Sequence, residues 1–161
     1  MVLSSSCFSR DYWNGTKEGM SKAALMKLYG KKLKPYSFRQ PVKPDPESWE
    51  YSIDTPEVFC GGNFDVVFTF DEYKPKRGLV AVQLELEKGK NADGRVGDCV
   101  LKEYTEKYGH PRKRVEAQGP GQYAFSGARV ILYIFPGRVS ILYRGPGCRW
   151  WEFNCNSGII L

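Results

Sequence analysis

The sequence holds a single histidine, His110, and none of its five cysteines (Cys7, Cys60, Cys99, Cys148 and Cys155) stands two residues from another. Structural zinc ligands arrive as closely spaced cysteine or histidine pairs, so no metal site is expected. A Ser–His or Cys–His nucleophile would have to use His110. That residue lies between Gly109 and Pro111 beside three basic residues, where a histidine is ordinarily a surface residue. Phosphate-binding glycine patterns are also missing. Gly61-Gly62 lacks the Lys-Ser/Thr sequel of a P-loop, and the stretch 89–97 does not open as G-x-G-x-x-G. The run Asn91 to Gly94 hints at a calcium loop, but Val100 stands where its glutamate is required. No apolar run approaches the roughly 20 residues that span a bilayer.

Carboxylates remain as candidates for acid–base chemistry of the glycosidase kind: Asp65, Asp71, Glu72, Glu85 and Glu87. The alternating pattern puts Asp65, Glu85 and Glu87 on the wet side of strands, where solvated faces carry such groups routinely. No catalytic residue and no cofactor are expected, and the protein reads as a binder, not an enzyme.

The chain of 161 residues is 42% hydrophobic, 14% aromatic and 26% charged, a globular balance for one domain. Net charge is +6, weighted towards the second half, and its densest cluster is Arg112-Lys113-Arg114. Such a cluster suits nucleic acid, anionic lipid or an acidic protein, or is simply a solvated loop that keeps the chain soluble. Residues 1–18 read as an N-terminal arm without a readable signal peptide, and Asn14-Gly15-Thr16 fits the short glycosylation acceptor pattern.

Ser21 is placed to cap a helix over residues 22–29. Met20 and Leu25 form a hydrophobic staple, Leu25, Leu28 and Tyr29 supply a buried face, and Gly30 ends the helix. Residues 31–47 hold four prolines and several lysines and predict an extended connector. Period-two alternation then predicts three strands. Their dry positions are Trp49, Tyr51 and Ile53; Phe64, Val66, Phe68 and Phe70; and Val80, Val82, Leu84 and Leu86. A second helix is expected over 99–108 with Asp98 as its cap, followed by strands over 123–125, 129–135 and 139–143. Residues 130–135 are apolar throughout, which predicts a central strand covered on both faces. The fold expected is α+β: two short helices on a mainly antiparallel sheet, in two loosely repeated halves of helix, glycine, then strands.

Two further features concern the C-terminus. Cys148 and Cys155 flank a segment that can fold back and pair them in an oxidising compartment; the alternative is five reduced thiols, with Cys60 and Cys99 packed as small apolar groups. Tyr143, Arg144, Arg149, Trp150 and Trp151 belong to the residue types that concentrate binding energy at interfaces. They are the expected partner-binding surface, although the same tryptophans could finish the core. The partner expected is another protein. The alternative is nucleic acid, held by Arg112, Lys113 and Arg114 with exposed aromatics stacking on bases.

The stretch Gly19–Gly30 resembles the G-M-T/S, helix, G opening of small bacterial extracytoplasmic proteins. These include the SmpA/OmlA-like outer-membrane lipoproteins and the β-lactamase inhibitor protein family. The helix end Glu106–Pro111 looks like a K-Y-G-x-P motif of bacterial secreted proteins, followed there by paired strands. This resemblance implies a helix-plus-antiparallel-sheet module for protein–protein contact, without catalysis and outside the cytoplasm. The second half lacks a Gly-Met-Thr opening, and no lipobox precedes Cys7 in a recognisable leader.

Overall fold

A computed structural model describes residues 12–36, 50–71, 78–87, 89–115, 121–125 and 128–145. Helix α1 spans Lys22–Tyr29, with the Ser21 hydroxyl accepting the Ala24 N–H at 3.1 Å and Gly30 closing the end. A single 3₁₀ turn, Gly30–Lys32, leads into strand β1, Leu33–Pro35. Strands β2 (Glu50–Ile53), β3 (Glu57–Phe59), β4 (Gly62–Phe70) and β5 (Leu79–Leu86) complete the first half. The second half holds α2 (Arg95–Tyr108), β6 (Arg112–Val115), β7 (Gly121–Phe125), β8 (Val130–Phe135) and β9 (Arg138–Arg144). Neither helix is long and apolar enough to cross a membrane.

All strand pairings are antiparallel, and the sheet runs β1-β2-β4-β5-β9-β8-β7-β6, with β3 beside β4. Each half is therefore a helix followed by a meander. The strand next after each helix lies at an outer edge, and the last strands, β5 and β9, meet in the middle. The expected α+β fold with repeated halves is the one observed.

Backbone hydrogen bonds show the same repetition. Before α1, the Gly19 N–H reaches Leu79 O at 2.8 Å and the Leu79 N–H reaches Met20 O at 2.8 Å. Before α2, the Gly89 N–H reaches Gly137 O at 3.2 Å and the Gly137 N–H reaches Asn91 O at 3.1 Å. In each half the chain entering the helix is tied to the turn between that half's last two strands. Gly78 shows how close this approach is: its φ is +71°, and a Cβ there would run into the carbonyls of Gly19 and Met20.

One face of the sheet is dry. A row across it reads Pro35, Tyr51, Phe68, Val82, Tyr143, Val130, Phe125. Both helices lie on this side. Tyr29 of α1 meets the Phe68 ring at 5.2 Å between centroids, and Tyr104 of α2 meets Phe125 at 6.1 Å. Leu25, Phe64, Val66, Phe68 and Val100 are fully buried between the layers.

Several expectations need correction. Residues 12–18 are not a loose arm: Tyr12 and Thr16 are buried, and the Tyr12 hydroxyl donates to Val80 O at 3.1 Å. The connector contains the turn Gly30–Lys32 and strand β1, while residues 37–49 lie outside the described residues. Leu28 is half exposed, because an eight-residue helix turns only Leu25 fully inward. Helix α2 starts at Arg95, four residues before the expected start. Its first turn is satisfied by Asn91, whose side-chain oxygen accepts the Gly97 N–H at 2.9 Å, so Asp98 is a helical residue and not the cap. Leu79 takes the inward place expected of Val80, where the β4–β5 register shifts between Thr69 and Phe70. Strand β8 is interior, but only Val130, Ile131 and Leu132 are buried; Tyr133, Ile134 and Phe135 are partly exposed.

Strand β3 has no sequence signature beyond its own hairpin. Phe59 pairs with Gly62 across Cys60-Gly61, whose φ values of 51° and 74° make the doubly left-handed turn that two-residue hairpins favour. A cysteine in that conformation costs roughly 1 kcal/mol, and a covalent bond holds it there. Cys60 and Cys99 form a disulfide with Cα atoms 5.8 Å apart, pinning the β3–β4 turn to α2. This overturns the alternative of five reduced thiols with Cys60 and Cys99 packed as small apolar groups. Cys148 and Cys155 lie outside the described residues.

The bond closes a sequence separation of 39 residues, so replacing both cysteines should cost about 2–4 kcal/mol. Denaturant unfolding of C60S/C99S measures this directly. Thiol counting on unreduced, denatured protein should find at most three of the five cysteines reactive; finding all five would contradict the bond.

Candidate functional site: the second face of the sheet

Among the described residues no helix lies on the other face. Side chains alternate along each strand, so this face is defined by the register. One row crosses all eight strands of the main path: Lys34, Ser52, Val67, Gln83, Leu142, Ile131, Ala124, Arg112. The row on one side of it reads Asp65, Glu85, Ser140, Tyr133, Gln122. On the other side stand Glu50, Thr69, Ala81 and Arg144. Apolar groups occupy the middle and polar ones surround them.

A polar network is centred on β5 and β9. Arg138 donates to Glu85 through two nitrogens, Nε to Oε2 at 3.3 Å and Nη2 to Oε1 at 3.1 Å. Gln83 donates to Glu85, two residues along the same strand, and to Ser140 Oγ across the ladder at 3.3 Å. Two-point guanidinium–carboxylate contact fixes both side chains more firmly than a single bond. Gln83 and Ser140 are buried, and each has a partner. Further along, Gln122 Nε2 donates to the Tyr133 hydroxyl at 3.4 Å. Tyr36, which follows β1, has its pKa raised, first by burial and then by the charges of Asp65, Glu50 and Glu85. Burial lowers the pKa of Arg144, while Tyr133 opposes that shift. The result is a pre-set arrangement of donors, acceptors and rings around Leu142 and Ile131.

The residues expected to bind a partner are dispersed. Tyr143 is not on a surface: it is 4% exposed, on the dry face, with its hydroxyl bonded to that of Tyr104. Arg144, its neighbour in sequence, falls on the second face because adjacent strand residues point to opposite sides. Arg149, Trp150 and Trp151 lie outside the described residues. The basic cluster is not a loop. Arg112, Lys113 and Arg114 form most of β6, opposite Ala124, Tyr123 and Gln122, and Arg112 is exposed. His110 is exposed just before that strand.

Sequence reasoning passed over Gln83, Tyr133, Arg138, Ser140 and Leu142. The alternation already marked Gln83 and Glu85 as wet-face residues. Only the β5–β9 and β8–β9 registers, which join residues more than fifty positions apart in the first case, place them together. Of the carboxylates, Asp65 and Glu85 are cross-strand neighbours, and Glu85 is committed to Arg138 and Gln83.

Comparison of the chain with protein-family models, with curated proteins and with solved structures finds no match.

Two outcomes follow from the tyrosines beneath the sheet. Removing one hydroxyl of the buried Tyr104–Tyr143 pair orphans the other and should cost about 1–3 kcal/mol. The double variant Y104F/Y143F should therefore cost less than the two single variants summed, which a double-mutant cycle reads. Burial also pushes Tyr104 and Tyr29 up to about 12 from an ordinary 10. A raised pKa contributes stability that is complete below pH 10 and is lost as pH climbs towards about 12. Tyrosinate absorbance should thus show a late-ionising group that titrates as the fold opens.

Proposed function

We propose that this chain is a non-enzymatic protein-binding module, acting as an inhibitor or an envelope accessory protein, and that it meets its partner through the second face. The carrying observation is the partly exposed set Leu142, Tyr133, Arg138 and Arg144 on that face, seated on the buried Gln83 and Ile131. An apolar centre with a polar, arginine- and tyrosine-bearing rim is how protein interfaces are composed. The side chains there are already held by Arg138–Glu85 and Gln83–Ser140 bonds, so little conformational freedom remains to be lost on binding.

Location outside the cytoplasm is part of this reading. Its support is the Cys60–Cys99 disulfide, since such bonds persist in oxidising compartments and are rare in reducing ones. The paired helix-and-meander halves are compatible with the small extracytoplasmic binders that Gly19–Gly30 resembles.

For a candidate partner, Y133A/L142A should raise the dissociation constant by about tenfold or more, while Met26→Ala on the helix side leaves it unchanged. Titration calorimetry with both variants tests this. The reverse pattern, with the helix-side change weakening binding and the face change silent, would sink the assignment of this face.

A further inference from the structure

We propose that β6 is a docking edge for an acidic, extended peptide segment of another protein, which adds to the sheet as a further strand. It uses the backbone at the sheet margin, where Arg112 ends the central row of the second face.

Strand β6 is the last in the sheet order, and its partner among the described residues is β7. In an antiparallel pair alternate residues direct their N–H and C=O groups to the partner, and the residues between direct theirs outward. An edge of this kind is the template on which extended peptides are captured. The other described edges serve poorly. β1 has three residues and ends in Pro35, which has no N–H, and β3 also has three. β6 has four residues and no proline, so every N–H is present.

Charge selects the occupant. Arg112, Lys113 and Arg114 stand in succession on β6, after Lys107 in the last turn of α2 and the exposed His110. Glu106, the nearest preceding carboxylate, lies 3.9 Å from Lys102 on the same helix. Three cations in succession along the strand offer opposite charge to an incoming strand with acidic side chains. The same charges oppose pairing with a second copy of this chain, which would set cations against cations. A nucleic acid would find the charge but has no amide groups with which to continue the ladder.

Fluorescence anisotropy with a labelled peptide of about ten residues, alternating threonine and glutamate, tests the proposal on the full chain at low salt. Three comparisons accompany it: the same peptide with its backbone amides methylated, a peptide with lysine in place of glutamate, and a single-stranded oligonucleotide as competitor. The expected result is saturable binding of the glutamate peptide, weakened about tenfold or more by amide methylation, with no binding of the lysine peptide. R112E/K113E/R114E should abolish the binding, and R112K/K113R/R114K, which keeps every charge and every amide, should retain it. Equal binding of the methylated peptide, displacement by the oligonucleotide at lower concentration than by unlabelled peptide, or no saturable binding would each overturn it. Peptide methylation leaves the protein untouched, so the result does not depend on how the charge variants fold.

Discussion

The ladder between β5 and β9 turns two meanders into one sheet, and the two-sided character of the molecule follows from it. Val82 opposite Tyr143 and Leu84 opposite Ile141 put apolar groups from both halves on one side. Gln83 opposite Leu142 and Glu85 opposite Ser140 put mixed groups on the other. A slip of one residue would turn Tyr143 out and Arg144 in, leaving a charged group in the core and an orphaned hydroxyl on Tyr104. Register is therefore held by burial on the dry side, and the polar network above it inherits that register.

The remaining ties join the halves at their ends. The Cys60–Cys99 bond links a turn of the first half to the helix of the second. Arg129, at the start of β8, reaches Glu18 in the segment before α1 at 2.8 Å, in a partly buried pair. The Gly145 N–H bonds Val80 O at 2.9 Å, carrying the end of β9 onto β5 beyond the ladder. Each tie crosses between the two halves outside the β5–β9 ladder. A small helix-plus-meander unit buries too little apolar surface to be stable alone, and sharing one continuous sheet and core removes that difficulty.

Much of the fold was legible because its signals are local. Ser21, Leu25 and Gly30 cap and orient α1 through contacts within a few residues. The alternation in β4 and β5 separates dry from wet side chains whatever their partners are. The errors arose where a distant group decided the outcome. Asn91 caps α2 from outside the expected cap position because it is also held by Gly137 and Phe135 across the sheet. Strands β3 and β6 are only three and four residues long, and exist because β4 and β7 offer them ladders. Tyr143 looked like an interface residue by type and became a core residue by parity.

Residue order alone determined the two helices, the principal strands and the side of each strand that avoids water, since period and capping act within a few neighbours. Tertiary structure decided which strands meet, which cysteines bond, and that Arg112–Arg114 borders the sheet. It also brought Gln83, Arg138, Ser140 and Tyr133 together on one face. Those outcomes depend on pairings between segments far apart along the chain, and the free energy that selects them comes from burying both halves in one core, which no local pattern encodes.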